Sequence, residues 1–88
     1  MIVGKVVGTV VATRKNDKLV GSKFLIVLPI DNMQQGQKFI AIDNVGAGIG
    51  ETVLVATGSA ARIGCNMETA PVDAAIVGIV DNITELDK

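Results

Sequence analysis

Apolar and polar residues alternate along this chain in short runs separated by glycine and polar turns, a pattern of strands rather than long helices. From Ile2 to Thr13 one face carries Val3, Val7 and Val11 with Lys5 and Thr9 between them, and the other carries Ile2, Gly4, Val6, Gly8 and Val10. Because both faces are largely apolar, this run predicts a strand covered by a core on one side and in part by a neighbour on the other. A polar turn around Asn16-Asp17 follows, and Gly21 breaks the path into a second strand, Lys23 to Ile30, closed by Pro29. After the loop DNMQQGQ comes a short third strand, Gln37 to Asp43. It is hairpin-related to the second, since only a few turn residues containing Gly36 separate them. Glu51 to Thr57 is the fourth.

Past Gly58 the alternation stops. Ser59 is a good N-cap, and AARIGCNMETA predicts a short, irregular helix from Ser59 to about Met67, with Pro71 ending it. DAAIVGIVDNIT then resumes with β-branched residues as a fifth strand, although Ala-Ala-Ile-Val also fits a buried helix. Five strands with one short helix before the last make a small all-β fold, a compact five-stranded antiparallel barrel. Gly4, Gly8 and Gly78 fall inside strands, where a barrel needs sharp bends or close approach.

Composition narrows the picture. The chain of 88 residues reads as a single domain, 1–88, with no linker, low-complexity segment or convincing repeat. At this size roughly a third of the surface exposed in the unfolded chain stays exposed, so self-association is a natural source of further burial. Apolar residues make up 49% of the sequence, mostly Val, Ile and Ala, and Phe24 and Phe39 are the only aromatics. Such β-branched content suits a pleated surface. A net charge of −1 with scattered lysines draws no polyanion over distance. Cys65, the sole cysteine, permits no internal disulfide and fits a reducing compartment. Lys5 interrupts the hydrophobic N-terminus, which resembles neither a signal peptide nor a bilayer span, so no membrane is expected.

Few arrangements for chemistry survive. Without histidine, Ser-His-Asp and Cys-His sites and the usual zinc sites are excluded, and no catalytic residue, metal or cofactor is expected. Asp31, Asp43, Glu51, Asp73 and Asp81 fall at strand ends and turns, where solvated carboxylates are common, and Cys65 reads as a small residue packed in an interface. One stretch stands apart: DNVGAGIGETVLVATGSAAR, Asp43 to Arg62. Its Gly-x-Gly-x-Gly spacing differs from the Gly-x-Gly-x-x-Gly of dinucleotide sites, and a strand rather than a helix follows. The Gly-Lys-Ser/Thr ending of a Walker loop is absent too. These glycines therefore serve backbone conformation and close packing rather than phosphate.

Three runs in order, VVGTVVATRKNDKLVGSKFLIV, IAIDNVGAGIGETVLVATGSAAR and PVDAAIVGIVD, resemble the pentameric vertex proteins of bacterial microcompartments and carboxysomes, the EutN/CcmL family. The most specific part is Asp43 to Glu51, similar to the family's Gly-Ala-Gly-x-Gly-Glu signature. Thr52, where many members have a large hydrophobe, and Ala60, where a second serine is common, depart from it. The resemblance implies an OB-like barrel and a cyclic homopentamer at the corners of a polyhedral shell in the bacterial cytoplasm. Hexameric microcompartment shell proteins would be its partners, and its role would be structural rather than enzymatic.

On that basis Gly46, Ala47, Gly48, Ile49, Gly50 and Glu51 are expected near the five-fold axis or a subunit junction, where absent side chains let copies approach. The other reading of the loop is a tight turn within each subunit. Ser59 and Arg62 are assigned to the subunit interface, Arg62 either pairing with a neighbour's carboxylate or carbonyls or lying solvated on its helix. The rival function is an OB-fold module for single-stranded nucleic acid. It is disfavoured because such modules stack bases on aromatics in a basic groove, and this composition supplies neither.

Overall fold

The computed structural model describes residues 1–67 and 69–84. Five strands form: β1 (Ile2–Val10), β2 (Lys23–Pro29), β3 (Phe39–Asp43), β4 (Thr52–Thr57) and β5 (Ala74–Ile79), with one helix, α1 (Ser59–Gly64), between β4 and β5. They close into a barrel in the order β1-β2-β3-β5-β4. The fifth segment is thus a strand, and its helical alternative is excluded.

The expected barrel is present, with one difference in strand direction. Four of the five pairings are antiparallel, while β3 and β5 run parallel through Ile42↔Ala75 and Asp43↔Ile76. The reason is topological: directions cannot alternate around a closed ring of five strands, so one neighbouring pair must run the same way. α1 supplies the connection that carries the chain from β4 back to β5, between β3 and β4.

Period-two alternation decides which side chains enter the barrel. Ile2 and Val6 of β1, Leu25 and Val27 of β2, Ala41 of β3, Val53 and Val55 of β4, and Ala74 and Ile76 of β5 fill its interior. On the outer face of β3 and β5, Ile42 and Ala75 meet Ala61 and Cys65 from the helical segment in a second, smaller core with Ala70 and Val72. Cys65 therefore packs within its own chain. Its thiol lies 3.8 Å from the Arg62 carbonyl.

Gly4 shows what the tight curvature requires. A Cβ there would lie 2.5 Å from Val27 Cγ1 and 2.8 Å from the Leu28 carbonyl oxygen, so only glycine lets β1 approach β2 this closely. The β1–β2 register shifts between Val6 and Gly8, and the β4–β5 register between Leu54 and Val55. Such irregularities bend strands around a small barrel. At Gly78 an added Cβ would make only ordinary contact, 3.7 Å from Leu54 Cβ.

Several ends differ from expectation. β1 stops at Val10, three residues before Thr13, because its partner β2 begins at Lys23 and pairs no further than Phe24↔Val10. β3 begins at Phe39 and β4 at Thr52. The turn near Asn16 is a single 3-10 turn, Asp17–Leu19, with the Asn16 side chain accepting the Lys18 N–H at 2.9 Å. α1 ends at Gly64 instead of continuing to Met67, so Pro71 is not what stops it. Cys65 leaves helical geometry, and Asn66 turns the chain with φ of 58°.

Candidate functional site: the glycine loop and the helix beside it

The segment joining β3 to β4 is built from its own side chains. Asp43, the last residue of β3, turns its carboxylate inward to a side-chain exposure of 2%. Its Oδ1 accepts the backbone N–H groups of Val45, Gly46 and Ala47, each at 3.1 Å. Its Oδ2 lies 3.6 Å from the Lys23 ammonium, which the β2–β3 register sets directly opposite. Successive N–H groups arranged this way form an anion-binding concavity. Here the anion is the chain's own, so the amides that a phosphate would seek already have a partner.

The far end of the loop is closed as firmly. Gly48 N–H donates to Glu51 Oε1 at 2.7 Å, and Glu51 N–H donates to the Gly48 carbonyl at 3.1 Å. Gly50 N–H reaches the Val6 carbonyl at 2.8 Å, while Val6 N–H donates to the Glu51 carbonyl at 2.9 Å, tying the loop to β1. Ala47 is buried as part of the barrel core, whereas Ile49 is 66% and Val45 40% exposed.

The glycines divide into two kinds. Gly46 and Gly50 adopt φ of 81° and 93°, conformations that L side chains rarely enter. Gly48 does not; an added Cβ there would meet only Glu51 Oε1, at 3.6 Å. Nothing within the described part of the chain demands glycine at this middle position.

Asn44 Nδ2 donates to the Gly64 carbonyl at 3.1 Å, which brings the start of the loop against the end of α1. Arg62, half-buried on that helix, donates from Nη1 to the Val72 carbonyl at 3.0 Å and so clamps α1 to the approach to β5. Ile63 beside it is 67% exposed. Among the described residues no group of acidic or cysteine side chains is arranged to hold a metal, and no helix is long and apolar enough to cross a membrane.

Known proteins are similar to this chain in sequence and in fold. Residues 1–81 match the family model described as "Ethanolamine utilisation protein EutN/carboxysome". The bacterial microcompartment shell vertex protein GrpN of Rhodospirillum rubrum is 45% identical over 85 residues, covering 94% of this chain and 96% of that protein. The carboxysome shell vertex protein CcmL of Gloeobacter violaceus is 45% identical over 86 residues, covering 96% and 86%. The solved GrpN pentameric microcompartment shell protein superimposes with a TM-score of 0.86 at 43% identity, covering 98% of this chain and all of that one. The chain belongs to the EutN/CcmL family.

In this EutN/CcmL chain two details of the helix differ from expectation. Ser59 is the first helical residue rather than the N-cap. That position falls to Gly58, which has φ of 64° and no capping side chain, and whose N–H donates to the Asp73 carbonyl at 2.8 Å. Arg62 is not the solvated helix residue of its second expected description: it is half-buried, and its Nη1 is held by a carbonyl of its own subunit. The loop from Gly46 to Glu51 is gathered into one element and linked to α1 through Asn44, not through Ser59 or Arg62. Asp43 corrects the grouping of strand-end carboxylates as solvated: the residue is half-buried, its side chain is shielded from solvent, and its carboxylate organises the loop. The signal for it lies in the sequence, because an aspartate just ahead of a glycine turn is a side chain suited to capping the N–H groups that follow.

Proposed function

We infer that this chain is the pentagonal unit that occupies and closes the vertices of a polyhedral microcompartment shell in the bacterial cytoplasm. The observation that carries the reading is agreement in sequence and fold, over nearly the whole chain, with a pentameric shell protein. The domain spans 1–88, its last four residues lying outside those described. Hexagonal tiles alone extend as flat sheets, and closure needs five-fold units. A protomer repeated through heterologous contacts that close into a ring is such a unit. Hexameric shell proteins are the neighbours it meets, through contacts apolar at their centres.

In this function the segment Gly46, Ala47, Gly48, Ile49, Gly50 and Glu51 lies at the subunit junction or axis. Exposed Ile49 and Val45 supply apolar surface, and the unencumbered Gly48 leaves room for another backbone. Ser59, exposed at the start of α1, belongs to the same interface, and Arg62 contributes by holding α1 in place. The protein carries out no catalysis. Single-stranded nucleic acid is not a partner: the chain has only two aromatics, Phe24 and Phe39, each half-buried against a different core, and a net charge of −1, so it offers no row of stacking rings in a basic groove.

The test is co-expression of the partner hexameric shell proteins with and without this chain, viewed by electron microscopy with a dye-exclusion assay for sealing. Sheets, tubes or leaky particles without it and sealed polyhedra with it are expected. Equally closed particles in both cases would overturn the assignment.

A further inference from the structure

We propose that Asp43 is the positioning residue of the ring junction: its carboxylate folds residues 44–51 within the free subunit into the shape that assembly uses. The inference rests on placing this loop at the junction. A Gly-x-Gly-x-Gly segment left to itself loses more conformational freedom on docking than other sequences, because glycine has the most to lose. Here that freedom is removed beforehand. One buried oxygen holds three consecutive amides, and the second oxygen faces Lys23. The Glu51 side chain and the Val6 ladder hold the other end. Ile49 and Val45 are thus exposed on backbone that is already fixed, an arrangement that lowers the cost of association. Lys23 is 64% exposed, so its ion pair adds little, and the three N–H contacts carry the effect.

The experiment combines hydrogen–deuterium exchange over residues 44–52 with native mass spectrometry of rings on dilution, for wild type, Asp43→Ala, Asp43→Asn and Ile49→Asp. Exchange in β1 and β2 reports whether the barrel is intact. Loss of charged hydrogen bonds in Asp43→Ala should speed exchange of the 45–47 amides by at least about tenfold and raise the ring's dissociation midpoint by a similar factor, with β1 and β2 unchanged. Asp43→Asn, which keeps one carbonyl oxygen facing the amides, should fall between. Ile49→Asp should dissociate the ring without loosening those amides. A wild-type dissociation midpoint in Asp43→Ala beside a dissociated Ile49→Asp would overturn the positioning role and leave the junction in place. Intact rings in Ile49→Asp would remove the junction itself, and the proposal with it. If Asp43→Ala does not fold, Asp43→Asn decides: looser amides with weaker rings support the proposal, and unchanged rings overturn it.

Discussion

Replacing Gly4 by alanine tests the close approach on which the barrel's closure depends. The added methyl carbon would sit 2.5 Å from Val27 Cγ1 and 2.8 Å from the Leu28 carbonyl oxygen, against roughly 3.5–4.0 Å for carbon atoms in favourable contact. Val27 is fully buried in the barrel core and cannot rotate into empty space. The carbonyl belongs to the β1–β2 ladder, where Gly4 faces Pro29 and Lys5 faces Leu28, so relief means separating the strands. Overpacking of this kind costs about 1–3 kcal/mol. For a domain of this size each kcal/mol lowers Tm by roughly 4–8 °C. Gly78→Ala is the matched control: with its nearest neighbour at 3.7 Å, it should be neutral or stabilising by about 0.5–1 kcal/mol through lost backbone freedom in the unfolded chain. Urea unfolding of both variants should be followed at one protein concentration, because assembly makes apparent stability concentration-dependent. Equal midpoints for Gly4→Ala and Gly78→Ala would refute the argument that strand approach at Gly4 excludes a side chain.

Further outcomes follow from the same geometry. Native mass spectrometry should find a ring of about 46 kDa, five chains of 9.1 kDa each, and a monomer at micromolar concentration would contradict it. Gly46→Ala and Gly50→Ala should each cost about 1–2 kcal/mol in chemical denaturation for left-handed backbone, whereas Gly48→Ala should leave subunit stability nearly unchanged and weaken only the ring. Arg62→Met should lose about 1–2 kcal/mol with the Val72 carbonyl left unpaired, a loss that Arg62→Lys partly restores in the same assay. Fluorescence anisotropy with labelled single-stranded oligonucleotides should show no binding at moderate salt; submicromolar affinity with a steep salt dependence would reverse that assignment.

Features under local control are legible in the order of the amino acids. β-branched alternation specifies the strands, and the polar punctuation at Asn16, Gly21 and Gly36 separates them. The lack of histidine removes whole classes of chemistry by composition alone. Five strands cannot alternate around a closed ring, so one parallel pair follows from the strand count, but that it is β3 and β5 follows only from the strand order in the folded barrel. The motif from Asp43 to Glu51 points to the family because its run of residues is specific. Which groups meet, in contrast, is settled only when the chain folds. Lys23 faces Asp43 through the β2–β3 register, and Gly4 is crowded because β1 bends against Val27 and Leu28. Arg62 reaches Val72 because the chain folds back after α1, and among the three loop glycines only two have the backbone angles that require one. Register, close approach and burial arise between residues far apart in the chain, and no window of neighbouring residues contains them.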